Sequence, residues 1–194
     1  MFSPEFFGIT ASVLATCAFI PYFYSIFKGE THPHLYSWII WSLIQGTGAW
    51  IMLAEGAAWG AAALLITAFF CVCVCLLCFW YRTRTITRLD TACLVGALAA
   101  FALYAIVKEP YMSLSLAIFI DLVGFIPTFR KAIEEHESEV VTTWALFAIS
   151  NVFSLAALHE ITFLTAAYLI VLLICETFLA GTLLVIKMRK KSSV

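Results

Sequence analysis

The stretch FIPYFYSIFKGETHPHLYSW, residues 19–38, is apolar up to and through Pro21, breaks at Lys28-Gly29-Glu30, and leads into Trp38. A second stretch, FIPTFRKAIEEHESEVVTTW at residues 125–144, repeats its frame. Phe19, Ile20, Pro21, Phe23 and Trp38 recur as Phe125, Ile126, Pro127, Phe129 and Trp144, each shifted by 106 positions. A proline inside a helix removes a backbone donor and weakens the turn before it. Two copies at matching places predict a duplicated unit with a weak point in its first helix.

The rest of the chain is overwhelmingly apolar. Of its 194 residues 63% are hydrophobic and 12% charged, and the mean hydropathy is +1.01. A soluble domain of this length needs more polar surface, so the composition predicts an all-α integral membrane protein embedded in a lipid bilayer. Seven apolar runs, near residues 6–27, 37–54, 57–81, 91–107, 111–132, 140–158 and 161–186, each cover most of a hydrocarbon core ~30 Å thick. No basic stretch precedes the first, which is therefore not read as a cleaved signal peptide. With the N-terminus outside, Lys28, Arg82, Arg84, Arg88, Arg130, Lys131, Lys187, Arg189, Lys190 and Lys191 fall inside and Lys108 alone outside. That bias predicts N-out, C-in and an odd number of spans. Three spans (residues 1–82), a linking fourth (83–109) and three more with a basic tail (110–194) then make a parallel 3+1+3 repeat.

Within this frame Pro21 and Pro127 are candidate hinges. The second helix of each unit carries Trp38, Trp41 and Gln45 in one copy, and Trp144, Phe147 and Asn151 in the other. Residues three and four apart share a helix face, so each unit offers aromatic surface beside a carboxamide near mid-membrane. Such a wall suits a neutral polar solute with a flat or ring-shaped body. The competing reading places the tryptophans in an interfacial belt and the amides in interhelical bonds. Asp121 and Glu176 break the symmetry, since their counterparts are Ala15 and approximately Phe70. Acids inside a membrane usually face a cavity or a partner, and no lysine or arginine lies deep in any run. Asp121, ahead of Glu176, is expected to bind a proton or contact solute. Cys71, Cys73, Cys75 and Cys78 crowd one run at spacings that suit packing better than metal ligation. His32, His34 and His136 are read as loop residues, with no metal site expected. His159 and Glu160 are expected to cap the hairpin before the seventh run. Signatures of hydrolases, zinc peptidases and phosphate-binding loops are lacking, as is a basic stripe for nucleic acid. Neither enzymatic activity nor a cofactor is expected.

The seven-helix 3+1+3 plan, with a proline in the first helix of each unit, resembles the SWEET and PQ-loop transporter group. Where that group has Pro-Gln, this chain has Pro21-Tyr22 and Pro127-Thr128. The resemblance implies two three-helix bundles around one central site, with Pro21 and Pro127 as hinges for alternating access. The segment Trp38-Ile39-Ile40-Trp41 is similar to the WxxW motif of PnuC vitamin transporters, which share the plan. The expected function is a small-solute carrier for a neutral polar metabolite such as a sugar, with proton linkage through Asp121. Two alternatives stay open: a PnuC-like facilitator of a vitamin or nucleoside, and a receptor or assembly factor that does not transport. The expected location is a bacterial inner membrane; the sequence leaves the oligomeric state open.

Overall fold

The computed structural model describes residues 3–81, 86–107, 109–135 and 139–192; Arg82, Arg84, Lys108 and His136 lie outside the described residues. Helices follow all seven apolar runs: α1 (Pro4–Phe27), α2 (Leu35–Ala54), α3 (Ala62–Tyr81), α4 (Arg88–Ile106), α5 (Pro110–Glu135), α6 (Val141–Ala156) and α7 (Phe163–Ser192). A short 3-10 turn, Ala58–Ala61, leads into α3, and there is no strand among the described residues. Polar residues mark several helix starts. Ser3 accepts from the Phe6 amide ahead of α1, and Thr87 and Asp90 form a reciprocal capping box on α4. Thr162 and Thr165 exchange side-chain and backbone bonds at the start of α7, so hydroxyls cap this hairpin where His159 and Glu160 were expected to. Each such cap satisfies amides that have no partner inside the helix.

Among the described residues five helical segments are long and apolar enough to cross a membrane: α1, α2, α3 with its leading turn, α5 and α7; α6 is a shorter apolar helix. Their outward faces carry exposed Ile20, Trp50, Phe79, Trp80 and Phe178, while Asp121, Asn151 and Glu176 are buried. This is the reverse of a water-facing helix, whose polar side chains point out, and is compatible with a helical membrane protein.

The packing follows a simple rule. Helix α1 packs on α3 and α6, α2 on α3 and α5, α5 on α7, and α6 on α7. Exchanging α1 with α5, α2 with α6 and α3 with α7 leaves this set unchanged, and the minor contacts α2·α7 and α3·α6 exchange with each other. Helix α4 packs on α5 and α2 and has no counterpart. Side chains obey the same exchange. Phe19 lies 4.9 Å from Phe147, and Phe125 lies 4.9 Å from Trp41. Phe19 lies 6.3 Å from Trp38, and Phe125 lies 5.9 Å from Trp144. Trp38 and Trp144 themselves meet at 6.5 Å.

In the third helix of each set the register shifts by one. Leu64, Cys71, Val74 and Cys78 are buried in α3, and Leu169, Glu176, Leu179 and Leu183 in α7, an offset of 105. The counterpart of Glu176 is therefore Cys71, next to the Phe70 expected from sequence, because the connection into α7 is one residue shorter than the one into α3. Two glycines permit close approaches at the centre. A Cβ on Gly124 would stand 2.9 Å from the Trp41 indole nitrogen, and one on Gly48 would stand 2.8 Å from the Tyr168 ring.

Candidate functional site

Between the two sets of helices lies a narrow, partly open cavity. Its walls are Phe19, Trp38, Trp41, Phe125, Trp144 and Phe147, with Gln45, Thr67, Cys71, Leu172 and Glu176 among them. A second, smaller void shares Gln45, Thr67, Phe147, Leu172 and Glu176 and adds Ala63, Leu64, Ser150 and Asn151. The lining is built from exchange-related positions: Phe19 with Phe125, Trp38 with Trp144, Trp41 with Phe147, and Cys71 with Glu176. The i, i+3, i+7 spacing of Trp38, Trp41 and Gln45 delivers all three to the cavity, because one helix face repeats at that interval.

Six of the seven residues expected to meet solute thus come together: Trp38, Trp41, Gln45, Trp144, Asn151 and Glu176. Their polar groups are not equally free. Asn151 Nδ2 donates to Glu176 Oε2 at 2.7 Å, so this amide is occupied by the carboxyl. Gln45, its counterpart, has a buried Oε1 without a hydrogen-bond partner, opposite the smaller Cys71. The seventh residue, Asp121, lines neither space. It is fully buried and accepts from the Tyr168 hydroxyl at 3.3 Å, and its Oδ2 has no hydrogen-bond partner. The places of Asp121 and Tyr168 are held in the other half by Ala15 and Ala63, which pack together. One half therefore fills this contact with methyl groups and the other with an acid and a phenol. Asp121 and Glu176 are close enough to interact through their charges.

At the Trp38–Trp144 end of the cavity, Glu139 joins α1 to α6. It accepts from the Tyr22 hydroxyl at 3.1 Å and from the Trp144 indole at 3.0 Å. Burial raises the Glu139 carboxyl to about 7, against the two hydrogen bonds and the charge of Lys131, which pull it down. By the 106 offset the counterparts of Tyr22, Trp144 and Glu139 are Thr128, Trp38 and Pro33. The acceptor is thus missing from the other half, and Thr128 Oγ1 and Trp38 Nε1 are buried without hydrogen-bond partners.

The hinge candidates Pro21 and Pro127 lie inside α1 and α5, which both continue past them. The carbonyl of Ala18, one turn before Pro21, accepts from Thr143 Oγ1 of α6 at 3.0 Å, and that of Ala11 accepts from Ser150 Oγ at 2.8 Å. The carbonyls that lose their helical donor to the prolines lie four residues earlier, at Cys17 and Val123, so these hydroxyls tie α6 to α1 beside the break and not at it.

Beside Glu139 a cluster of charged groups ties α4 to both halves. Arg130 grips Asp90 through Nε at 3.1 Å and Nη2 at 2.7 Å, and also pairs with Glu134. His34 Nε2 lies 3.3 Å from Asp90 without the alignment of a hydrogen bond, and its Nδ1 caps α2 by accepting from the Ser37 amide. Burial holds His34 below its usual pKa despite the attraction of Asp90. Lys131, also buried, donates to the His32 carbonyl. No group of histidines, cysteines and acids suited to a metal ion occurs among the described residues. The sequence reading missed Cys71, Glu139 and Asp90; only the periodicity of α3 against α7 would have pointed to Cys71. Neither the family models, the curated proteins nor the solved structures contain a match to this chain.

Proposed function

We propose that this protein is a small-solute membrane carrier. Seven spans in a parallel 3+1+3 order, N-out and C-in, form two units that bind one solute between them and expose it to each side in turn. The observation that carries this reading is the cavity itself, lined by exchange-related residues from both units. A site at such a junction changes access when the units rock against each other. Pro21 and Pro127 supply the weak points, and the Glu139 bridge closes the end toward residues 28–34. Trp38 and Trp41 both line the cavity, which keeps a PnuC-like facilitator of a vitamin or nucleoside as the second reading.

Flux into proteoliposomes tests the proposal. Solutes selected by thermal-shift screening should equilibrate across the bilayer without an energy source. Binding without flux would instead mark a receptor.

A further inference from the structure

The chemistry of the cavity wall is lopsided. Six aromatic rings surround the space, and a ring face attracts positive charge. Glu176 supplies a carboxyl, Asp121 a second acid behind it, and the free Gln45 Oε1 a further acceptor. The Asn151 amide is already bonded to Glu176, which leaves the indole N–H groups of Trp38 and Trp41 as the unpartnered donors of the wall. Among the described residues no lysine or arginine lines either space. A sugar needs donors and acceptors in alternation, because each hydroxyl is both. This wall instead offers six rings around a carboxyl that has no cationic partner, and a buried carboxyl ionises only where an opposite charge pairs with it.

We infer that the cavity takes a small organic cation, held by the indole faces of Trp38, Trp41 and Trp144 and paired with Glu176. This replaces the neutral solute expected from sequence and rests on the reading of the cavity as the solute site.

The test compares cations with neutral partners of the same shape. Choline is set against 3,3-dimethyl-1-butanol, and guanidinium against urea, by calorimetry on the purified full chain. At least one cation should bind about tenfold or more tightly than its neutral partner, and Glu176→Gln should erase most of that preference. If neither cation outbinds its partner in the wild type, the inference is overturned, whatever the variant does. Flux of the same pairs in proteoliposomes separates this from the carrier proposal. A neutral partner carried as fast as its cation removes the charge selectivity and leaves the carrier. A cation bound but never moved keeps the site and removes the carrier.

Discussion

Glu139 is a carboxyl held between two donors on different helices, Tyr22 of α1 and Trp144 of α6, with the charge of Lys131 nearby. Its proton is retained to about pH 7 in the folded chain, against 4.5 for an ordinary glutamate. The unfolded chain therefore releases this proton first as pH rises. The contribution to stability is whole below about pH 4.5 and is lost as pH climbs through about 7. Glu139→Gln has no such proton to lose. Its melting temperature should exceed that of the wild type above pH 7 by the equivalent of roughly 1–2 kcal/mol, discounted for partial exposure, with the gap closing toward pH 4.5. A gap that does not change with pH would show that Glu139 does not titrate in this range. At the cavity, Asn151 illustrates how a single contact changes a residue's meaning. Its position on the helix face could be read from spacing, but its occupation by Glu176, 25 positions away in the chain, could not.

Between helices, the two halves solve the same packing problem with different pairs of sizes. Trp41 of α2 rests on Gly124 of α5, while the corresponding positions of α6 and α1 hold Phe147 and Ala18. The larger ring faces the glycine and the smaller ring's counterpart is an alanine. Gly124→Ala should therefore lower stability by about 1–3 kcal/mol through overpacking, despite the helix propensity that alanine adds. Adding Trp41→Phe should restore most of the loss, because it recreates the pair of the other half; thermal unfolding of both variants decides this. Helix α4 is held by a different device. Asp90 caps its own helix and receives Arg130 through two bonds. Asp90→Ala should cost about 3–5 kcal/mol, with hydrogen exchange rising first in α4. The sequence displayed the α1/α5 and α2/α6 repeat because phenylalanine, proline and tryptophan are large and few. It hid the α3/α7 register because apolar residues fill most positions there, so that a slip of one residue changes the hydropathy little. It also hid the Asp90 cluster, whose members His34, Asp90 and Arg130 come from three separate parts of the chain.

Across the whole molecule, the pattern of helix contacts survives the exchange of its first and last three helices, but the polar residues do not. Asp121 with Tyr168 answers Ala15 with Ala63, Glu176 answers Cys71, and Glu139 answers Pro33. If the carrier is proton-linked through Asp121, Asp121→Asn should abolish uptake driven by a pH gradient while leaving solute equilibration intact; undiminished pH-driven uptake would exclude that role. The asymmetry also bears on how such a protein can be assembled. Two copies of the first half would enclose a space with no acid at all. Two copies of the second would set Asp121 and Glu176 against their own duplicates in one apolar enclosure, with no deep lysine or arginine to offset the charge. Only one half of each kind encloses a single set of these acids. A single polypeptide guarantees that each finished molecule receives one of each.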